Sequence, residues 1–147
     1  MNALNLKKIN FASLDYKKTV ALRDLLLRKP LGLKFSEAEL EKETNMLHLA
    51  FFDRENCIAC LVLVPESKGK IKMRQVAVNE AYQSKGIGKK LIAAAEKYAR
   101  EKGFKKMYCH ARATALPFYQ KLKYQQVGEA FEEVGIPHYK LEKNLVV

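Results

Sequence analysis

Two glycines, a serine and a lysine fall together in the run Gln83-Ser84-Lys85-Gly86-Ile87-Gly88. The run follows a strand-like stretch, residues 71–78 (IKMRQVAV), and opens a helical one, residues 87–102. A strand giving way to a helix N-terminus exposes unpaired backbone amides and the positive end of the helix dipole. That arrangement suits a phosphate group, and glycine lets the backbone approach it closely. Two other groupings have chemical potential. Cys57-Ile58-Ala59-Cys60 has the spacing of zinc and redox sites. It lies within the apolar run CIACLVLV, where residues three apart on a regular strand face opposite ways. No second cysteine pair completes a four-ligand set, so buried reduced thiols are expected and no metal. Cys109-His110 is no nucleophilic dyad, because adjacent strand residues also face opposite ways.

The elements that must position these groups can be read from local pattern. Residues 4–11 read as a strand, and Ser13 caps a helix running to about Lys29, ended by Pro30-Leu31-Gly32. Ser36-Glu37-Ala38-Glu39 has the form of a capping box, so a short helix follows. Residues 47–52 and 57–64 read as strands joined by a turn at 53–56, and 71–78 as the next strand. In the helix after the glycines, Ile87, Leu91, Ile92, Ala95, Tyr98 and Ala99 recur at helical spacing. Gly103 stops it and 104–110 is a strand, so residues 71–110 form a strand–helix–strand unit with parallel strands. Residues 114–122 form a short helix, and 124–129 and 136–141 form antiparallel strands. The sum is a single α/β domain over residues 1–147, its mixed sheet mostly antiparallel with a central parallel pair.

Composition sets the class. A chain of 147 residues, 48% hydrophobic and 29% charged, can bury a real core. No apolar run approaches the ~20 residues that span a bilayer, and the N-terminus lacks the apolar core of a signal peptide. Three cysteines, an odd number, argue against a disulfide framework. A cytoplasmic protein with no membrane partner is the default. The net charge of +11 suits nucleic acid, an acidic surface or a polyphosphate. Its cations are spread along the chain without a basic and aromatic stripe, so no specific nucleic acid is expected. The glycine loop lacks the G-x-x-x-x-G-K-[ST] form, which disfavours an NTPase.

Taken together, these residues resemble the GNAT family of acyl-CoA-dependent N-acetyltransferases. Gln83 to Gly88 fills the family pattern Q/R-x-x-G-x-G/A after a hydrophobic strand, here Arg74-Gln75-Val76-Ala77-Val78. Ala115-Leu116-Pro117-Phe118-Tyr119-Gln120-Lys121-Leu122-Lys123-Tyr124 resembles A-x-x-F-Y-x-K-L-G-F/Y, with Lys123 where glycine is usual. Ala59-Cys60 stands where a glycine is often found in the preceding hairpin strand. Phe131-Glu132-Glu133-Val134-Gly135-Ile136-Pro137-His138 resembles a small bacterial subgroup with ill-defined acceptors, as do Arg28-Lys29-Pro30-Leu31-Gly32 and His110-Ala111-Arg112.

The resemblance implies acetyl transfer from acetyl-CoA to a primary amine of a small molecule, peptide or protein, by direct transfer in a ternary complex. It implies that Gln83 opens the loop and that the amides of Ser84, Lys85, Gly86, Ile87, Gly88 and Lys89 hold the pyrophosphate. Val76, Ala77 and Val78 would pair with the pantetheine arm, and an amide near Val76 would polarise the thioester carbonyl. Tyr119 takes the general-acid position, protonating the leaving thiolate. His110, Glu133 and His138 are the candidate bases. Dimers are common in the family, so a homodimer is a candidate assembly. The alternatives are transfer of another acyl group or to another acceptor, and a non-catalytic acyl-CoA sensor. A basic nucleic-acid-binding domain is the weakest.

Overall fold

The computed structural model describes residues 4–146. Along the chain run β1 (Asn5–Ile9), α1 (Leu14–Arg23), α2 (Glu37–Glu41), β2 (Leu47–Asp53), β3 (Asn56–Pro65) and β4 (Lys70–Val78). These are followed by α3 (Ile87–Glu101), β5 (Lys106–Arg112), α4 (Leu116–Lys121), β6 (Gln125–Glu133) and β7 (Ile136–Asn144). Seven strands make one mixed sheet in the order β1-β2-β3-β4-β5-β7-β6, with helices flanking it. The β4–β5 pair is parallel, joined by the α3 crossover. The β1–β2, β2–β3, β5–β7 and β6–β7 pairs are antiparallel.

Local chemistry accounts for the element ends. Ser13 accepts the Tyr16 amide and starts α1, and Ser36 with Glu39 closes the reciprocal capping box of α2. The helix expected to run to Lys29 changes character on the way. It is α-helical to Arg23, widens to a π-turn over Asp24–Arg28, and ends in a 3-10 turn at Lys29–Leu31. Gly32 then takes the left-handed conformation (φ 70°) that closes it. β6 and β7 are longer than their sequence pattern suggested, because a tight Val134-Gly135 turn joins them directly.

The chain groups into two compact units, one of residues up to 64 with 75–95, the other of 65–74 with 96 onward. In the first, Ile9, Tyr16, Leu22, Ala50, Phe52, Cys60 and Ala77 form a buried cluster. Beside it lies a buried ionic group. Arg23, fully buried, donates to both carboxylate oxygens of Glu43 at 2.9–3.0 Å, and Tyr16 Oη donates to Glu43 Oε1 at 2.7 Å. Burial, then the Glu43 carboxylate, hold the Tyr16 phenol well above its usual range. In the second unit Ile71, Met73, Met107, Cys109, Tyr119, Tyr124 and Leu141 are buried.

The expectation that Cys57 and Cys60 face opposite ways is corrected by a bulge. Ala59 pairs with Phe51 and Cys57 with Phe52, leaving Ile58 as an extra residue in β3. The inserted residue resets the two-residue alternation, so Cys57 and Cys60 sit opposite Phe52 and Ala50 on one face. Cys57 Sγ donates to Ala59 O at 3.7 Å and Cys60 Sγ to Thr19 O at 3.8 Å. The pair belongs to the packing of the first unit's core.

Candidate active site

The glycine loop is built by two changes of backbone hand. After β4, Asn79 caps a 3-10 turn (Glu80–Tyr82) by accepting the Ala81 amide at 2.9 Å. Gln83 Nε2 donates to Val78 O at 2.9 Å, tying the loop to the end of the strand that feeds it. Ser84 (φ 64°) and Gly86 (φ 77°) are both left-handed, and α3 starts at Ile87. Lys90 is the first α3 amide with a backbone acceptor, Gly86 O at 3.0 Å. Among the described residues the amides from Ser84 to Lys89 make no such bond. A Cβ added at Gly86 would meet nothing within 4 Å, so packing does not require glycine there. Backbone hand does, and the space beside it stays open to a ligand. Lys85, Lys89 and Lys90 are exposed around it.

Just upstream, β4 is strained. The parallel register with β5 runs from Lys70–Lys106 to Met73–Cys109, and two residues on Gln75 is left-handed (φ 56°). Its side-chain Oε1 is buried without a hydrogen-bond donor among the described residues. A non-glycine residue held in that region costs about 1 kcal/mol or more, and such strain clusters at functional sites. Val76, Ala77 and Val78 follow it directly.

The second unit holds Tyr119 and all three candidate bases. Tyr119 begins the second turn of α4, packed edge-on between Phe118 (ring centroids 5.1 Å) and Tyr124 (5.6 Å). The two buried tyrosines differ in one respect. Tyr124 Oη donates to Glu96 Oε2 at 2.8 Å, and Lys143 Nζ donates to Glu96 Oε1 at 2.9 Å. Tyr119 Oη has no hydrogen bond to any described residue, yet it is not sealed from solvent. Burial, then the Cys109 thiol, push its phenol well above the usual range, so it stays protonated at neutral pH. Cys109 itself is pushed up to about 12 by burial, which makes a thiolate nucleophile there unfavourable.

Sequence distance hid the grouping of His110, Glu133 and His138. The hairpin register sets Phe131 opposite His138 and Glu133 opposite Ile136, and β5 sets Arg112 opposite His138. Glu133 Oε1 thereby lies 3.1 Å from His110 Nδ1, and Glu133 Oε2 lies 3.7 Å from His138 Nε2. A carboxylate oxygen only accepts, so His110 Nδ1 carries the proton, and in the neutral form of the ring Nε2 presents a lone pair. His138 is buried and donates from Nδ1 to Ile136 O at 2.9 Å. The Phe131 ring packs edge-on against His110, with centroids 5.0 Å apart. Of the three, His110 is the half-exposed imidazole with an orienting carboxylate, while His138 is locked within the hairpin.

Comparisons with known proteins agree with this architecture. Residues 31–145 match the model of the acetyltransferase (GNAT) domain. The uncharacterized protein YyaT of Bacillus subtilis is 34% identical over 74 residues, half of this chain and half of that protein. A solved Lactobacillus plantarum structure superposes with TM-score 0.87 at 23% identity, covering 99% of this chain and 100% of that one. An aminoglycoside 6′-N-acetyltransferase complexed with coenzyme A gives TM-score 0.82 at 16% identity, covering 97% and 98%. With the glycine loop before α3 and the family domain spanning most of its length, the chain belongs to the GNAT acetyltransferase family.

Proposed function

We propose that this protein transfers the acetyl group of acetyl-CoA to a primary amine, directly and without a covalent enzyme intermediate. The observation that carries the donor assignment is the row of amides from Ser84 to Lys89 lacking backbone acceptors, beside an unfilled Gly86. These amides and the α3 N-terminus hold the pyrophosphate, and Gln83 keeps the loop in place. Val76, Ala77 and Val78 offer main-chain groups to the amide-rich arm of the donor, as a strand edge accepts an added strand. The strain at Gln75 supports a turned amide near Val76 that polarises the thioester carbonyl.

His110 Nε2 takes the proton of the attacking ammonium or of its bridging water, while Glu133 holds the ring and its tautomer. The free amine attacks the thioester carbonyl. As the tetrahedral intermediate collapses, the C–S bond breaks, Tyr119 Oη gives its proton to the departing thiolate, and the excess proton left on the nitrogen restores the phenol directly or through water. His138 acts on the base only by holding the hairpin that carries Glu133. The low standing of Cys109 as a thiolate favours this direct route over an acetyl-cysteine.

Calorimetric titration of acetyl-CoA tests the donor site. Gly86→Glu puts a carboxylate into the open space and strains a left-handed residue, so affinity falls by about tenfold or more. Gly86→Asn, whose residue tolerates that backbone, loses less. Unaltered affinity in a folded Gly86→Glu protein contradicts the assignment.

A further inference from the structure

Tyr119 sits on an element that does little to hold it. α4 is six residues long, fewer than two turns, and no side chain caps its N-terminus. A helix that short is held by tertiary contacts rather than by its own hydrogen bonds. The chain leaves it through a left-handed Lys123 (φ 74°). The Tyr119 hydroxyl is bonded to no described residue, and of the two rings packed against its own, Phe118 is exposed. Tyr124 is the buried one.

Tyr124 is joined to Tyr119 twice. Its amide donates to Tyr119 O at 3.0 Å, and its ring meets the Tyr119 ring edge-on at 5.6 Å. At the far end, Tyr124 Oη donates to Glu96 Oε2 at 2.8 Å, with Met107 Sδ 3.4 Å away. Glu96 is 5% exposed, and its other oxygen accepts from Lys143 Nζ at 2.9 Å. Lys143 on β7 is in turn opposite Met107 on β5. One buried carboxylate on α3 therefore ties the ring beneath Tyr119 to the sheet. Burial, then the Glu96 charge, hold the Tyr124 phenol well above its ordinary range, so it stays a donor at and above neutral pH.

We propose that Glu96 is a positioning residue for the general acid: through Tyr124 it sets where the Tyr119 hydroxyl lies when the thiolate departs. This rests on the transferase reading above, through the role of Tyr119. A proton donor works only within hydrogen-bond reach, and misplacing a reacting group by about 1 Å costs up to about a hundredfold in rate. Loosening Tyr124 therefore slows the chemical step. The amides assigned to the pyrophosphate, Ser84 to Lys89, take no part in this group, so donor affinity is spared.

Single-turnover acetyl transfer, scaled to the folded fraction of each protein, is measured for Glu96→Ala alone and combined with Tyr119→Phe. Glu96→Ala lowers the rate about tenfold and keeps acetyl-CoA affinity within about twofold of the native value. In the Tyr119→Phe background, where the ring gives no proton, the same change costs about twofold or less. Glu96→Gln keeps an oxygen toward Tyr124 and recovers most of the rate. A carboxylate that only supports the fold gives equal losses in both backgrounds, or none after scaling, and either result overturns the inference. Should Glu96→Ala not fold, Tyr124→Phe removes the same hydrogen bond, leaves the ring, and carries the same expectations through the cycle. Tyr119→Phe at the native rate overturns the general-acid assignment together with this inference. A slowed Tyr119→Phe with additive losses at Glu96 overturns this inference alone.

Discussion

Replacing Tyr119 with phenylalanine lowers the single-turnover rate of acetyl transfer by about a hundredfold or more, the usual contribution of a positioned proton donor. The substitution removes one oxygen and leaves the ring between Phe118 and Tyr124. It breaks no hydrogen bond among the described residues, so stability changes little. Acetyl-CoA affinity stays roughly as it was, because the pyrophosphate is assigned to the Ser84–Lys89 amides. Tyr124→Phe is the contrasting variant. It deprives Glu96 of a buried donor and costs about 1–3 kcal/mol of stability. A Tyr119→Phe enzyme with an undiminished single-turnover rate contradicts the general-acid assignment.

The largest effect on stability is expected at Glu43. Its carboxylate accepts from Arg23 through both oxygens and from Tyr16, all three side chains being buried. Glu43→Ala leaves the Arg23 guanidinium charged, dry and unpaired, at a cost of about 3–5 kcal/mol. Arg23 Nε already lacks a partner among the described residues, so nothing nearby takes up the loss. The half-exposed Lys7–Asp15 pair offers the comparison, and Asp15→Asn there costs about 1 kcal/mol or less. Urea unfolding of the two variants measures both. Should Glu43→Ala unfold the protein outright, Glu43→Gln retains some acceptor capacity and gives a measurable intermediate loss. A loss at Glu43 no larger than at Asp15 contradicts the weight given to this group.

Much of the fold was legible because it is written locally. The Ser13 cap, the Ser36–Glu39 box, the apolar stripe of α3 and Gly103 at its end each depend on residues within one or two turns. What failed depended on register. A regular strand separates Cys57 from Cys60, and only the pairing with β2 reveals Ile58 as the bulged residue that brings them together. The π-turn at Asp24–Arg28 likewise has no local signature in DLLLR.

The candidate site shows the same division. The loop from Gln83 to Gly88 announces itself by glycine spacing, although the left-handed Ser84 does not. His110, Glu133 and His138 could be named as separate candidates from sequence. Their meeting follows from the Val134-Gly135 turn (φ 46° and 77°), which fixes the β6–β7 register. Reading V-G there as a two-residue hairpin turn would have set Phe131 against His138 and Glu133 beside them.

Thiol release monitored across a panel of primary amines decides whether the protein carries out amine-dependent transfer from acetyl-CoA. Coenzyme A thiol should appear only when an amine is present, in step with an equal amount of acetylated amine, and His110→Gln should suppress both together. Tight binding of acetyl-CoA with no amine-dependent thiol release from any member of the panel would contradict the account and make the protein a sensor of its donor.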